Sequence, residues 1–199
     1  MTHPLVEWAA RGLLPAWAAL GERRRRHVER VAGLLEDWAI GVGLPAEERT
    51  RWVAAGYLHD ALKGKPEPEL RALLSDELRE LPEPVLHGPA VGVMLRREGV
   101  EDGELLAAVT WHTIGHPDLG RTGYALYAAD FLEPGRELKN EWRAALRARM
   151  PGEMDEVVKE IVAARIAFLL ERGRPLRKET VGFWNRMVEG QPWAGSSEL

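Results

Sequence analysis

The sequence predicts an all-α protein, and three observations carry that prediction. Apolar residues recur at intervals of three and four through most of the chain, which is the period of one helix face. No segment shows apolar–polar alternation of a length useful for a strand. Glycine and proline fall between the periodic segments, where helices stop.

Residues 5–20 read as a short helical lead-in broken at Pro15. Glu22 to Ile40 is strongly amphipathic: His27, Val31, Leu34 and Trp38 are spaced four, three and four, so His27 lies on the buried stripe. The arginine run Arg23–Arg26 precedes that stripe. Such a run is usually a solvated helix end; the alternative is contact with a phosphate, with Arg24 as the candidate. Gly41 to Pro45 is a turn, and the next helix carries Glu47 and Glu48 in its first turn, where the dipole favours acids. Its stripe of Trp52, Ala55, Leu58/His59 and Leu62 is expected to run to about Gly64, ahead of Pro66 and Pro68.

Glu67 to Leu81 is polar and helical, one or two short surface helices ended by Pro82 and Pro84. His87 stands at the mouth of a helix running roughly from Pro89 to Arg97 and closed by Gly99. Asp102 or Gly103 opens another, in which Leu105, Val109 and His112 share an inward stripe. A loop from Thr113 to Pro117 follows, and Gly120 to Gly123 reads as flexible. Ala125 to Leu132 is an apolar helix with one charge inside it, Asp130, ended by Glu133-Pro134-Gly135-Arg136. Met154 to Glu171 is a long helix with the stripe Met154, Val158, Ile161, Arg165/Ile166 and Leu169, stopped by Gly173 and Pro175. A last helix holds Val181, Trp184 and Val188, and the tail after Gln191 is expected to fray. The tryptophans are scattered and are expected in the core or at helix contacts. No internal repeat is present.

A chain of 199 residues suits one domain with a sizeable core. The expected division is a helical arm at 1–21, the domain at 22–190 and a flexible tail at 191–199. A formal net charge of −4 argues against a nucleic-acid partner. The absence of cysteine excludes disulfides, thiolate ligands and cysteine nucleophiles, leaving imidazole and carboxylate as the strong metal donors. No uninterrupted apolar run approaches eighteen residues, so no membrane span is expected. With no signal-peptide pattern at the start, the expectation is a cytoplasmic protein.

The chemistry is concentrated in Tyr57-Leu58-His59-Asp60-Ala61-Leu62-Lys63. An adjacent His-Asp pair among Ala and Leu is costly to bury without a partner, and a divalent metal is the simplest one. His27, His87, His112 and Asp130 are the remaining candidate ligands. Taken singly, a histidine on an apolar helix face is more often a satisfied core residue, and a lone buried aspartate more often a cap or ion-pair partner. Taken together, one metal centre satisfies them all. Lys63, three residues after Asp60, shares its side of the helix and is a candidate to steady a phosphate; otherwise it is a helix-end lysine.

The order H…HD…H…H…D, with Leu58-His59-Asp60-Ala61-Leu62-Lys63, Leu86-His87-Gly88, His112-Thr113-Ile114-Gly115 and Ala129-Asp130-Phe131-Leu132-Glu133-Pro134-Gly135-Arg136, resembles the HD-domain metal-dependent phosphohydrolases. The surrounding words are similar to the YqeK type, the symmetrical diadenosine tetraphosphate hydrolases of bacteria, over about residues 23–188. The resemblance implies an HD-domain helical bundle with a dinuclear centre between core helices. It implies one metal held by His27, His59, Asp60 and Asp130 and a second held by Asp60, His87 and His112, with Asp60 bridging. Two such ions clamp the attacking and leaving oxygens of an in-line phosphoryl displacement. Mixed imidazole and carboxylate ligation suits iron, manganese, cobalt or zinc, and the resemblance favours iron. Asp60 and Lys63 are the catalytic candidates; Lys63, Thr113, His116, Arg136 and Arg24 are the substrate-binding candidates. His116 stands where the family usually carries a basic residue, and Asp118 to Tyr124 is richer in glycine than the family pattern. The expected partner is a nucleotide or dinucleoside polyphosphate, with no nucleic acid and no membrane; a homodimer is left open. Two alternatives to the tetraphosphatase remain: a phosphohydrolase of mono-, di- or triphosphates, and a nucleotide-binding regulatory protein with weak catalysis.

Overall fold

Helices account for nearly all regular structure in the computed structural model, which describes residues 2–135 and 140–191. In chain order they are α1 (Pro4–Ala10), α2 (Glu22–Gly41), α3 (Ala46–Leu58), α4 (Glu67–Leu73), α5 (Asp76–Arg79), α6 (His87–Arg97), α7 (Gly103–Trp111), α8 (Arg121–Leu132), α9 (Asn140–Arg149), α10 (Met154–Glu171) and α11 (Lys178–Val188), with a 3-10 turn at Glu83–Val85. No strand occurs among the described residues, and none of their helices is long and apolar enough to cross a membrane. Arg136 and the tail from 192 lie outside the described residues.

The middle of the molecule is α3, α7 and α8. α2 packs on α3 and α8, α1 on α3, α6 on α7, and α10 on α8 and α11. α8 is buried from Thr122 to Ala129 without a break, as expected of a helix apolar on all faces. The central helices approach closely because small residues meet there. A Cβ on Gly56 of α3 would lie 2.6 Å from Ala32 Cα of α2, and one on Gly88 of α6 would lie 2.7 Å from the Thr110 carbonyl of α7. Gly56 lies three residues before His59 and Gly88 directly after His87, so they set how near the ligand-bearing helices stand.

Four expectations need correction. The lead-in helix stops at Ala10, where Gly12 takes a positive φ of 78°. The helix expected to reach Gly64 ends at Leu58; beyond it Ala61 N bonds Leu58 O and Lys63 N bonds Asp60 O, both at 2.9 Å, in tight turns. The Ala61 carbonyl is taken by Ala19 N at 2.7 Å, which removes an acceptor that continued helix would use. Gly120–Gly123 is not a flexible stretch: α8 starts at Arg121, and Thr122 and Gly123 are buried. Helix α9 was not expected; its Arg143 is buried with the guanidinium 4.5 Å from the Phe131 ring centroid. Among the described tryptophans, Trp38 and Trp52 are buried and Trp17, Trp111, Trp142 and Trp184 pack against the core, whereas Trp8 is exposed.

Candidate metal centre

His59 and His112 occupy equivalent places in the fold. Each is the residue just past the end of its helix, α3 and α7, and each turns Nδ1 onto the carbonyl three residues back: Gly56 O for His59 and Val109 O for His112, both at 2.8 Å. The last carbonyls of a helix lack intrahelical donors, so each imidazole satisfies one of them. A carbonyl only accepts, so Nδ1 carries the proton and the neutral ring presents a bare Nε2. The C-terminal ends of two helices thereby face the same point, and the negative ends of their dipoles favour a cation there.

Asp60 sits between the two rings, and its two oxygens face different partners. Oδ2 lies 3.6 Å from His59 Nε2 and 3.7 Å from His27 Nε2; Oδ1 lies 3.0 Å from His87 Nε2 and 3.6 Å from His112 Nε2. His27, His59 and Asp60 form one buried triad, and Asp60, His87 and His112 a second. His27 Nε2 also meets Asp130 Oδ1 at 3.1 Å, from a side chain 17% exposed rather than fully buried. Asp130 comes from the last turn of α8, His27 from α2 and His87 from the first position of α6.

The protonation states suit a metal. Burial alone pushes the Asp60 carboxyl up, but His59, His112 and His87 outweigh it and hold Asp60 well below the usual carboxylate range. Burial lowers His59 to about 4 against the pull of Asp60, and lowers His87 to about 4 likewise. At neutral pH Asp60 is ionised and His59 and His87 are neutral, the states that ligation requires. His27 Nε2 and His59 Nε2 are buried with no hydrogen-bond partner, an unmet need that a cation between them and Asp60 fills. The donor set of imidazole and carboxylate fits a divalent transition metal in each triad.

Of the other candidates, Arg24, Thr113 and Lys63 are at the centre. Arg24 Nη1 donates to Asp60 Oδ2 at 2.5 Å. Thr113 Oγ1 lies 3.1 Å from His112 Nε2 and 3.5 Å from His87 Nε2. Lys63 Nζ donates to Pro84 O at 2.9 Å and stands 3.2 Å from His87 Nδ1; burial lowers its pKa. His87 is thus the exception among the ligands: a proton donated by Lys63 to Nδ1 puts the ring proton on Nε2, so ligation through Nε2 requires that contact to give way. His116 joins neither triad through any of its contacts here. Its ring stacks on Trp111 with centroids 4.6 Å apart and 17° between planes, and its Nδ1 accepts from Asp118 N at 3.1 Å.

The sequence reading missed Glu133 and Arg30. Glu133 is 3% exposed; Oε1 is 3.4 Å from His27 Nδ1, and Oε2 accepts from Arg30 Nε at 2.6 Å and Gly135 N at 2.9 Å. Burial pushes Glu133 up, but the Arg30, Gly135 and His27 interactions outweigh it and hold it below the ordinary glutamate range. The spacing signal was there: Glu133 follows Asp130 by three residues and Arg30 follows His27 by three, each on its partner's helix face. Arg23, Arg24, His27, Arg30, Glu133 and Gly135 surround a cavity of about 320 Å³ beside the first triad.

An all-helical frame that closes four imidazoles around one shared aspartate defines a helical histidine–aspartate protein with donors for a divalent metal. A family model described as HD domain matches residues 24–165, and the chain belongs to the HD domain family. The chain is 30% identical to a symmetrical bis(5'-nucleosyl)-tetraphosphatase of Staphylococcus aureus, covering 83% of this chain and 87% of that one. It is 24% identical to a protein of the same description from Halalkalibacterium halodurans, over 85% of this chain and 91% of the other. Among solved structures it is similar to a predicted HD superfamily hydrolase, described as involved in NAD metabolism, from Clostridium acetobutylicum. That likeness has a TM-score of 0.75 and 26% identity, covering 86% of this chain and 92% of that one.

Proposed function

We propose that the chain is a metal-dependent phosphohydrolase that cleaves a dinucleoside tetraphosphate symmetrically, Ap4A giving two ADP. The observation that carries the reading is the division of the Asp60 carboxylate, with one oxygen toward His27 and His59 and the other toward His87 and His112. The relatives' description as symmetrical tetraphosphatases supports the substrate.

In this reading His27, His59, Asp60 and Asp130 hold one divalent ion and Asp60, His87 and His112 the other, with iron the preferred metal and manganese, cobalt or zinc as substitutes. Ions in such a pair of sites supply Lewis acidity and charge for the attacking and leaving oxygens of an in-line phosphoryl displacement. The chain's own residues do the rest. Arg24, with Arg23 and Arg30 around the adjoining cavity, neutralises and orients the polyphosphate, a guanidinium being suited to forked contact with phosphate oxygens. Thr113 Oγ1 offers a hydroxyl beside the second triad, and Lys63 places a cation behind His87. Arg136, in the segment after Glu133, is assigned to the phosphate chain as well. The cysteine-free chain fits a reducing compartment, and we assign it to the cytoplasm.

The test is incubation of anaerobically purified protein with Ap4A and Fe(II) or Mn(II) under reducing conditions. ADP is expected as the sole nucleotide product; intact Ap4A over a fully loaded centre refutes the reading. Asp60→Ala is expected to abolish turnover and to remove metal from both sites at once, because both share that carboxylate.

A further inference from the structure

The residues that follow His112 are held from outside their own helix. α7 ends at Trp111, so the carbonyls beyond it have no donor within the helix. The two C-terminal helices supply donors instead. Arg165 Nη2 of α10 donates to the Thr113 carbonyl at 2.7 Å, and Thr180 Oγ1 of α11 donates to the Ile114 carbonyl at 2.9 Å. Gly115 then closes against the Phe183 ring of α11, which leaves no room for a Cβ. Successive residues of the loop are thus gripped by α10 and α11.

Thr113 is the residue of this loop that reaches the centre. Its Oγ1 stands 3.1 Å from His112 Nε2 and 3.5 Å from His87 Nε2, where the imidazoles of the second triad converge. A threonine side chain has a single stiff torsion between backbone and hydroxyl, so the position of the hydroxyl follows that of the main chain. The main chain here follows Arg165. That side chain is half-buried, with its guanidinium carbon 5.6 Å from the ring centroid of Tyr127 on α8, one turn before Asp130. Arg165 therefore spans from the helix that carries Asp130 to the loop beside His112. Its bond to the Thr113 carbonyl has an ionised donor, the stronger kind of hydrogen bond.

We infer that Arg165 is a positioning residue for the phosphoryl reaction: by holding the Thr113 carbonyl it fixes the Thr113 hydroxyl beside the second triad, where that hydroxyl meets a phosphate oxygen of the substrate. The inference rests on the phosphohydrolase reading above and adds the residue that sets one of its phosphate contacts. Arg165 acts through Thr113 and takes no part in the chemistry itself.

The test is a double-mutant cycle on the full-length, Mn(II)-loaded protein, read by calorimetric titration with inorganic pyrophosphate. Arg165→Met removes the donor and keeps an unbranched stem against Tyr127; Thr113→Val removes the hydroxyl and keeps the shape. Each is expected to weaken pyrophosphate binding on the order of tenfold, the size of one hydrogen bond to a charged group. The double variant is expected to be no weaker than either single one, because both changes delete the same contact. Mn(II) uptake is expected to match the wild type throughout. Effects that add overturn the inference, since Arg165 then acts on its own, and so does an unchanged pyrophosphate affinity in Arg165→Met. Loss of Mn(II) from Arg165→Met overturns it as well, the effect then passing through His112. A wild type that binds no pyrophosphate overturns it too, because the hydroxyl then meets no phosphate. If Arg165→Met does not fold, Arg165→Gln, whose amide falls short of the Nη2 position, takes its place under the same criteria. Failure of the phosphohydrolase reading would show separately, as intact Ap4A over a loaded centre.

Discussion

Glu133→Gln is the sharpest test of how the first triad is held. The glutamate touches His27 Nδ1 through one oxygen and Arg30 and Gly135 through the other. A glutamine can keep an oxygen on Arg30 and Gly135 only by turning its NH₂ to His27. That NH₂ donates, so Nδ1 must accept, and the imidazole proton moves to Nε2, the atom 3.1 Å from Asp130 and 3.7 Å from Asp60. A protonated Nε2 has no lone pair for a metal. Loss of such a supporting contact behind a ligand costs about 10–100-fold in metal affinity, or roughly 1.4–2.7 kcal/mol. The second triad makes no contact with Glu133 and is expected to keep its affinity. Anaerobic calorimetry with Mn(II), paired with metal analysis, would resolve the two sites. Two sites of wild-type affinity in Glu133→Gln would refute the argument that the carboxylate sets the His27 tautomer.

Two further outcomes follow from the same geometry. His59 and His87 have folded pKa values near 4 against 6.5 in the unfolded chain, so between those limits the unfolded state binds more protons and stability falls as pH falls. By pH 5 each group removes about 2 kcal/mol, and Asp60, also depressed, adds its loss only below about pH 3.8; a chelator-treated sample should show a lower urea midpoint at pH 5 than at pH 7, and an unchanged midpoint would contradict it. Gly56→Ala places a methyl against the Ala32 backbone and is expected to cost about 1–3 kcal/mol through overpacking, seen as a Tm lower by roughly 2–12 °C; an unchanged Tm would mean α2 and α3 part without cost.

Much of the centre was legible because its ligands sit where helical period is strong. His27 and His112 fall on inward stripes, and His59-Asp60 is a polar pair set in an apolar run; all of them are buried in the structure. What periodicity could not show is where a helix yields to tertiary contact. The end of α3 at Leu58 depends on Ala19 N taking the Ala61 carbonyl, a bond between residues 42 positions apart. α9 escaped notice because its buried face includes Arg143, whose stem and guanidinium pack on Phe131, and hydropathy scores that residue as exposed. Glu133 read as the close of a helix because its partner, His27, lies on another helix far back in the chain. His116 was a substrate-binding candidate from its place after His112; its stack on Trp111 depends on the path of the loop, which spacing does not encode.

The two histidines that end α3 and α7 have a consequence for how the protein meets its metal. Their rings are tethered to main-chain carbonyls, so their aim is an outcome of folding and not of the ion's arrival. Capture then demands little reordering of these two donors, unlike small domains that fold around their ion. Donors fixed in this way favour ions whose preferred geometry they already match, and an ion that needs another arrangement must pull the rings off their carbonyls. Which ion the protein carries then depends on that geometry, on its imidazole and carboxylate donors, and on the supply of each metal where the protein is made.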